Sequence, residues 1–123
     1  AKASAYKDGN NAAESWLISP EIDLSSAKNP KLTINQAANF IGSTFGENCH
    51  ILISTNYVNG APSTAKWTEL SLDNVPTADT KWNFVAGSTS LASYSGKKVR
   101  LAFKYVSTTS TAPTWEIRKV TIK

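Results

Sequence analysis

Gly96–Thr108 reads GKKVRLAFKYVST, and its alternation decides the fold. Val99, Leu101, Phe103 and Tyr105 fall on one parity, and Lys98, Arg100, Ala102 and Lys104 on the other. Successive side chains of a β-strand point to opposite faces. The stretch therefore predicts a strand with one apolar face against a core and one basic face in water.

The segments around it repeat the theme. Ser107–Pro113 is a Ser/Thr-rich connection, and Thr114–Lys123 is a closing strand with a change of phase. Trp115 and Ile117 share one parity, Val120 and Ile122 the other. A β-bulge near Arg118–Lys119 restores the phase, and burial on both faces is the other explanation. Upstream, Gly87–Ser95 reads as a loop with room for one helical turn, and Lys81–Ala86 as a short strand around Trp82 and Phe84. Trp67–Leu72 and Cys49–Thr55 alternate as strands, joined by a connection carrying Asn59-Gly60 and Pro62. In Lys31–Phe40, residues Leu32, Ile34, Ala38 and Phe40 share a face with Gln36, which needs hydrogen-bond partners if that face is buried. Glu14–Ser19 is β-prone and stops at Pro20, which has no N–H for a ladder. Ala1–Ala13 is polar, with a turn at Lys7–Asn11 and a short strand near Tyr6.

No 3.6-residue apolar period runs for three turns. Short strands recur at roughly 8–15-residue spacing, the mark of an all-β sandwich or barrel. The expected form is a two-sheet antiparallel β-sandwich with jelly-roll topology.

The 123 residues make one module, 1–123, large enough for a core without staples. A hydrophobic share of 41% argues against disorder, and the apolar runs are too short for membrane insertion. The net charge is +4, but only Lys97–Lys98 and Arg118–Lys119 are adjacent cations. Nucleic-acid binding needs a clustered patch, so solvated strand faces are the plainer reading. One cysteine excludes an internal disulfide. The chain starts at Ala1 with no visible signal peptide, which reads as a processed or excised piece of a longer protein.

Residues with chemistry are few. Cys49 and His50 are adjacent, so on a strand their side chains diverge and make no dyad. Glycoside hydrolysis needs two carboxylates across one cleft; Glu69 and Glu116 are the strand-borne candidates, with Glu69 facing outward. One Cys and one His cannot build a zinc site. Calcium accepts Asp, Asn and carbonyl oxygens. Asp8, Asn10 and Asn11, with Glu116 as a partner, form the candidate set, against an ordinary Asx-rich turn. Sugars need aromatic platforms. Trp16, Trp115, Phe103 and Tyr105 read as core, which leaves Tyr57, Trp67, Trp82 and Tyr94 as candidate ligand-binding residues at strand ends or loops.

ESWLISPEIDLS (Glu14–Ser25), ILISTNY (Ile51–Tyr57), KWTEL (Lys66–Leu70), the Trp82–Ser110 region and TWEIRKVTIK (Thr114–Lys123) occur in this order. Together they resemble the choice-of-anchor J modules of Bacteroidetes, related to cleaved-adhesin domains of secreted proteases, over nearly the whole chain. That pattern often shows Asn or Asp where this chain has Lys119, so no metal role is carried to that position. The resemblance implies a jelly roll related to galactose-binding-like domains. It also implies export to the periplasm or cell surface within a larger lipoprotein or secreted protein, and calcium in some relatives.

The function expected is a non-catalytic accessory module, adhesin-like, binding a carbohydrate or a surface protein. Its other partners are neighbouring domains of the same polypeptide, and it is expected to be monomeric. A structural spacer with no ligand is the alternative, and a glycan-active enzyme comes third.

Overall fold

The computed structural model describes residues 2–6, 9–41 and 44–123. Its strands are β1 (Lys2–Ser4), β2 (Ala13–Ile18), β3 (Ile22–Asp23), β4 (Lys31–Asn39), β5 (Cys49–Ser54), β6 (Thr68–Glu69), β7 (Val85–Ser90), β8 (Lys98–Ser107) and β9 (Thr114–Ile122). They form two antiparallel sheets. One runs β1-β9-β4-β7; the other runs β2-β8-β5-β6, with β3 also on β8. The two sheets pack into a β-sandwich.

β8 is the centre of the second sheet. Val99, Leu101, Phe103 and Tyr105 are all buried, as the alternation requires. They meet Leu32, Ile34, Ala38 and Trp115 of the first sheet in one core, where the rings of Phe103 and Trp115 lie 6.0 Å apart. Fully burying an aliphatic side chain of this kind contributes roughly 1.5–3 kcal/mol.

The phase change in β9 is a bulge. Gln36 pairs with Ile117 and Asn35 with Lys119, so Arg118 is the extra residue. Skipping it puts Trp115, Ile117, Val120 and Ile122 opposite the inward residues of β4. Gln36 is fully buried on that face and accepts the Trp115 indole N–H at 2.9 Å.

Pro20 separates β2 from β3, although both pair with β8. Ser19 bridges the break: its N–H reaches the Leu101 carbonyl at 2.8 Å, and its hydroxyl accepts the Leu101 N–H at 2.9 Å. Gly87 in β7 has no room for a side chain, because a Cβ there would sit 1.9 Å from the Asn74 carbonyl oxygen.

Three segments differ from their sequence reading. The Trp67–Leu72 strand shortens to Thr68–Glu69. Lys81–Ala86 is mostly turn, and the strand begins at Val85 and runs through the small residues to Ser90. Trp16 is not core: it pairs with Lys104 of β8 and shares that residue's outer face. The helical turn expected before β8 is present at Ala92–Tyr94.

Candidate functional site

Two aromatic groups reach the surface, and they differ in how their polar atoms are spent. The first lies on the outer face of the second sheet. Trp67 stands between Trp16 and Tyr57, with ring centroids 5.6 Å and 5.4 Å away. Lys104 lies over Trp16 at 5.3 Å and Arg100 over Tyr57 at 5.7 Å. All three polar handles are engaged locally. The Trp16 indole donates to Glu14 at 3.0 Å, the Trp67 indole to the Pro62 carbonyl at 3.0 Å, and the Tyr57 hydroxyl to the Gly60 carbonyl at 2.7 Å. On the same face Ala102 and Leu52 are buried. The group forms an apolar cover on the outside of the sheet.

The second group surrounds a cleft of about 810 Å³ beside the end of β4. Tyr6, Phe40 and Trp82 line it and are 65%, 64% and 50% exposed. The Phe40 and Trp82 rings meet edge to face, 5.7 Å apart at 85°. Backbone geometry turns both outward. Phe40 has φ 62°, and Lys81, immediately before Trp82, has φ 48°. Left-handed backbone at a bulky residue is an outlier that costs on the order of 1 kcal/mol or more. Asn39 secures the Phe40 turn by accepting its N–H at 2.9 Å. The turn before Trp82 is tied by the Thr80 carbonyl, which accepts the Asn83 N–H at 2.8 Å.

The rest of the lining is small and polar. Asn10 donates to the Ser110 carbonyl at 3.0 Å, and the Thr108 hydroxyl holds the N–H groups of Ser110 and Thr111 at 3.1 Å and 3.0 Å. The Thr114 and Ser4 hydroxyls bond each other at 3.2 Å. Among the described residues no charged side chain lines the cleft. None of them bonds the Trp82 indole N–H or the Tyr6 hydroxyl.

The four aromatics singled out in the sequence therefore occupy three places. Tyr57 and Trp67 join Trp16 on the outer face, Tyr94 packs half-buried against the core, and Trp82 lies at the cleft. Sequence reasoning missed Tyr6 and Phe40. Phe40 shares parity with Leu32, Ile34 and Ala38 and so read as core; no sequence signal announced its positive φ.

Of the calcium candidates, Asp8 lies outside the described residues. Asn10 donates its amide N–H to the Ser110 carbonyl, Asn11 donates its own to the carbonyls of Ala5 and Gly9, and Glu116 stands on β9 opposite Lys2. Among the described residues no three His, Cys, Asp or Glu side chains gather as a metal site. The two carboxylates considered for hydrolysis belong to different sheets, Glu69 on β6 and Glu116 on β9. Glu69 bonds His50 Nδ1 at 2.8 Å on the outside of the sandwich. Cys49 faces the core, away from His50, and burial pushes its thiol pKa up to about 12.

Comparison with protein-family models and with curated proteins finds no match to this chain.

Proposed function

We propose that the protein is a non-catalytic, adhesin-like module of an exported surface protein, and that it binds neutral carbohydrate in the Tyr6–Phe40–Trp82 cleft. The observation that carries this reading is the Phe40–Trp82 corner. Two large rings stand in water, Phe40 on a left-handed backbone of its own and Trp82 directly after left-handed Lys81. Strain of this kind persists where the surrounding structure over-determines it, and it clusters at binding sites.

The chemistry fits a sugar. A pyranose offers an apolar C–H face and a rim of hydroxyls. The cleft offers aromatic faces beside hydroxyl and amide groups. The hydroxyls of Ser4, Ser110, Thr111 and Thr114 beside the rings suit the hydroxyl rim of a neutral sugar residue. Rings at 85° make a corner, not a flat track. A corner suits a chain end or a branch better than the flat side of a straight polysaccharide. The jelly-roll connectivity, surface export and family resemblance belong to the same proposal and rest on the sequence motifs alone.

A glycan array tests it. Neutral, hexose-terminated glycans are expected to give signal that Trp82→Ala and Phe40→Ala abolish and Trp67→Ala retains. An array without signal, or a signal indifferent to Trp82, overturns the reading and leaves the spacer alternative.

A further inference from the structure

We infer that the outer face of the first sheet binds a linear acidic polysaccharide, whose carboxylates answer the cations that Lys31, Arg118, Lys119 and Lys123 set there. The inference does not rest on the cleft. It concerns a different surface and a charged sugar.

The fold gathers what the chain scatters. Leu32 and Ile34 point into the core, so Lys31, Thr33 and Asn35 point outward. Lys31 and Lys123 exchange backbone hydrogen bonds at 2.8 Å and 3.1 Å, Thr33 pairs with Thr121, and Asn35 pairs with Lys119. On the other side of β4, Ser88 and Ser90 of β7 stand opposite Thr33 and Lys31. The Thr33 and Ser88 hydroxyls bond each other at 2.9 Å, which fixes them on one face. Arg118, the extra residue of the bulge, joins this face from β9. Its guanidinium lies 3.8 Å from the centre of the Phe84 ring, just before β7, so it reaches across β4. Lys119 and Lys123 are about 13 Å apart along β9 at the usual rise of a strand. All four cations are exposed.

Among the described residues no carboxylate pairs with them. The two ion pairs, His50–Glu69 and Lys104–Glu14, both lie on the second sheet. On this face Glu116 stands beside Ala37 and Lys2, and Asp73, at the far edge of β7, accepts the Ser88 N–H at 2.7 Å. Lys31 directly opposite Lys123 is a repulsive pair that a bound anion relieves. A strand added beside β9 would widen this face without covering it, because pairing edges lie in the sheet and side chains stand perpendicular to it.

The rest of the face selects the class of anion. The hydroxyls of Thr33, Thr121 and Ser88 and the amide of Asn35 lie among the cations and suit the hydroxyls of a sugar chain. Single-stranded nucleic acid needs open rings for its bases, and the ring here, Phe84, already carries Arg118. A protein partner draws most of its affinity from large apolar anchors at the centre of its interface, where this face has Thr33, Asn35 and Thr121. Arginine matches a carboxylate with two parallel N–H bonds.

The probe is hexagalacturonate, with its fully methyl-esterified form as the uncharged control, titrated calorimetrically at low and at high salt. The acid is expected to bind, its methyl ester at least about tenfold more weakly, and high salt to weaken the acid alone. Lys31→Glu and Lys119→Glu, at exposed side chains, are each expected to weaken hexagalacturonate about threefold or more. Lys66→Glu changes the net charge equally but lies just before β6 of the other sheet, and is expected to retain binding. No binding by the acid, equal binding of its ester, or an equal loss from Lys66→Glu would overturn the inference. So would an oligothymidylate of the same charge binding at least as tightly and losing affinity with Lys119→Glu, which would give the face to nucleic acid. Neutral glycans offer no charge to this face, so this inference and the cleft reading fail separately.

Discussion

Replacing Trp115 by Ala removes the largest inward side chain of the first sheet. Trp115 is 2% exposed, and its ring lies 5.7 Å from Phe45 and 6.0 Å from Phe103. Truncating such a side chain costs about 3–5 kcal/mol through lost burial and the cavity left behind. A second effect adds to it. The Trp115 indole is the donor to the buried Gln36 oxygen, and the Gln36 amide nitrogen already has no partner. Truncation leaves that whole amide unsatisfied, at about 1–3 kcal/mol more. The sum of about 4–8 kcal/mol compares with about 5–15 kcal/mol for the entire stability of a typical domain, so Trp115→Ala is expected to be largely unfolded at 37 °C. Trp115→Phe keeps an aromatic ring and loses the donor with a smaller part of the buried volume, a loss from which a double-mutant cycle isolates the hydrogen bond. Paired with Gln36→Leu in a double-mutant cycle, it should show a coupling of at least about 1 kcal/mol, since the double variant has no amide to strand. Urea denaturation followed by far-UV circular dichroism measures all four corners. Additive single effects, or a Trp115→Ala cost below about 1 kcal/mol, would refute both the buried bond and the face-to-face core.

Lys81→Gly should raise stability by about 1 kcal/mol, because the exposed lysine holds φ 48°, and a thermal melt should move up by a few degrees. An unchanged or lower Tm would contradict the strained turn before Trp82. Burial raises the Cys49 thiol from 9.0 to about 12. The unfolded thiol gives up its proton first, so this contribution is fully present below pH 9 and is lost as pH rises through the folded value, at about 1.4 kcal/mol per unit. Cys49→Ala should flatten that alkaline decline in a series of urea titrations; Tyr105, also raised by burial, leaves a residual slope. Adding a chelator should leave the melting temperature unchanged, since the Ala5 and Gly9 carbonyls beside that turn accept the Asn11 amide N–H and Glu116 stands on β9 opposite Lys2. A fall of several degrees would place a structural calcium ion at that turn.

Much of the fold was legible because strand parity is a hard constraint. The Val99–Tyr105 row followed from counting in twos, and so did the phase change of β9, for which a bulge near Arg118–Lys119 was one of two readings until the register singled out Arg118. Parity fails where both faces of a strand are apolar. ESWLIS offers apolar residues on either side, and Trp16 went to the wrong one because Trp67 and Tyr57, far along the chain, supply an apolar cover outside the sheet. It fails again where small residues carry loop signals: Gly87–Ser90 is strand because it pairs with Lys31–Ile34 of β4, a tertiary fact, and Gly87 is there because Asn74 packs too closely for a side chain. The cleft was half legible. Trp82 stood out among turn residues, but Phe40 continued an inward parity until a left-handed backbone turned it into water. Alternation describes regular strands and has nothing to say about the residue that ends one.

The most direct measurement is a proton–nitrogen NMR titration of the four assigned tryptophan indoles with neutral oligosaccharides. The Trp82 indole N–H, unpartnered among the described residues, is expected to shift alone, while those of Trp16, Trp67 and Trp115 stay fixed in their internal hydrogen bonds. A titration that moves the Trp16 or Trp67 signals and leaves Trp82 still would contradict the assignment of the cleft.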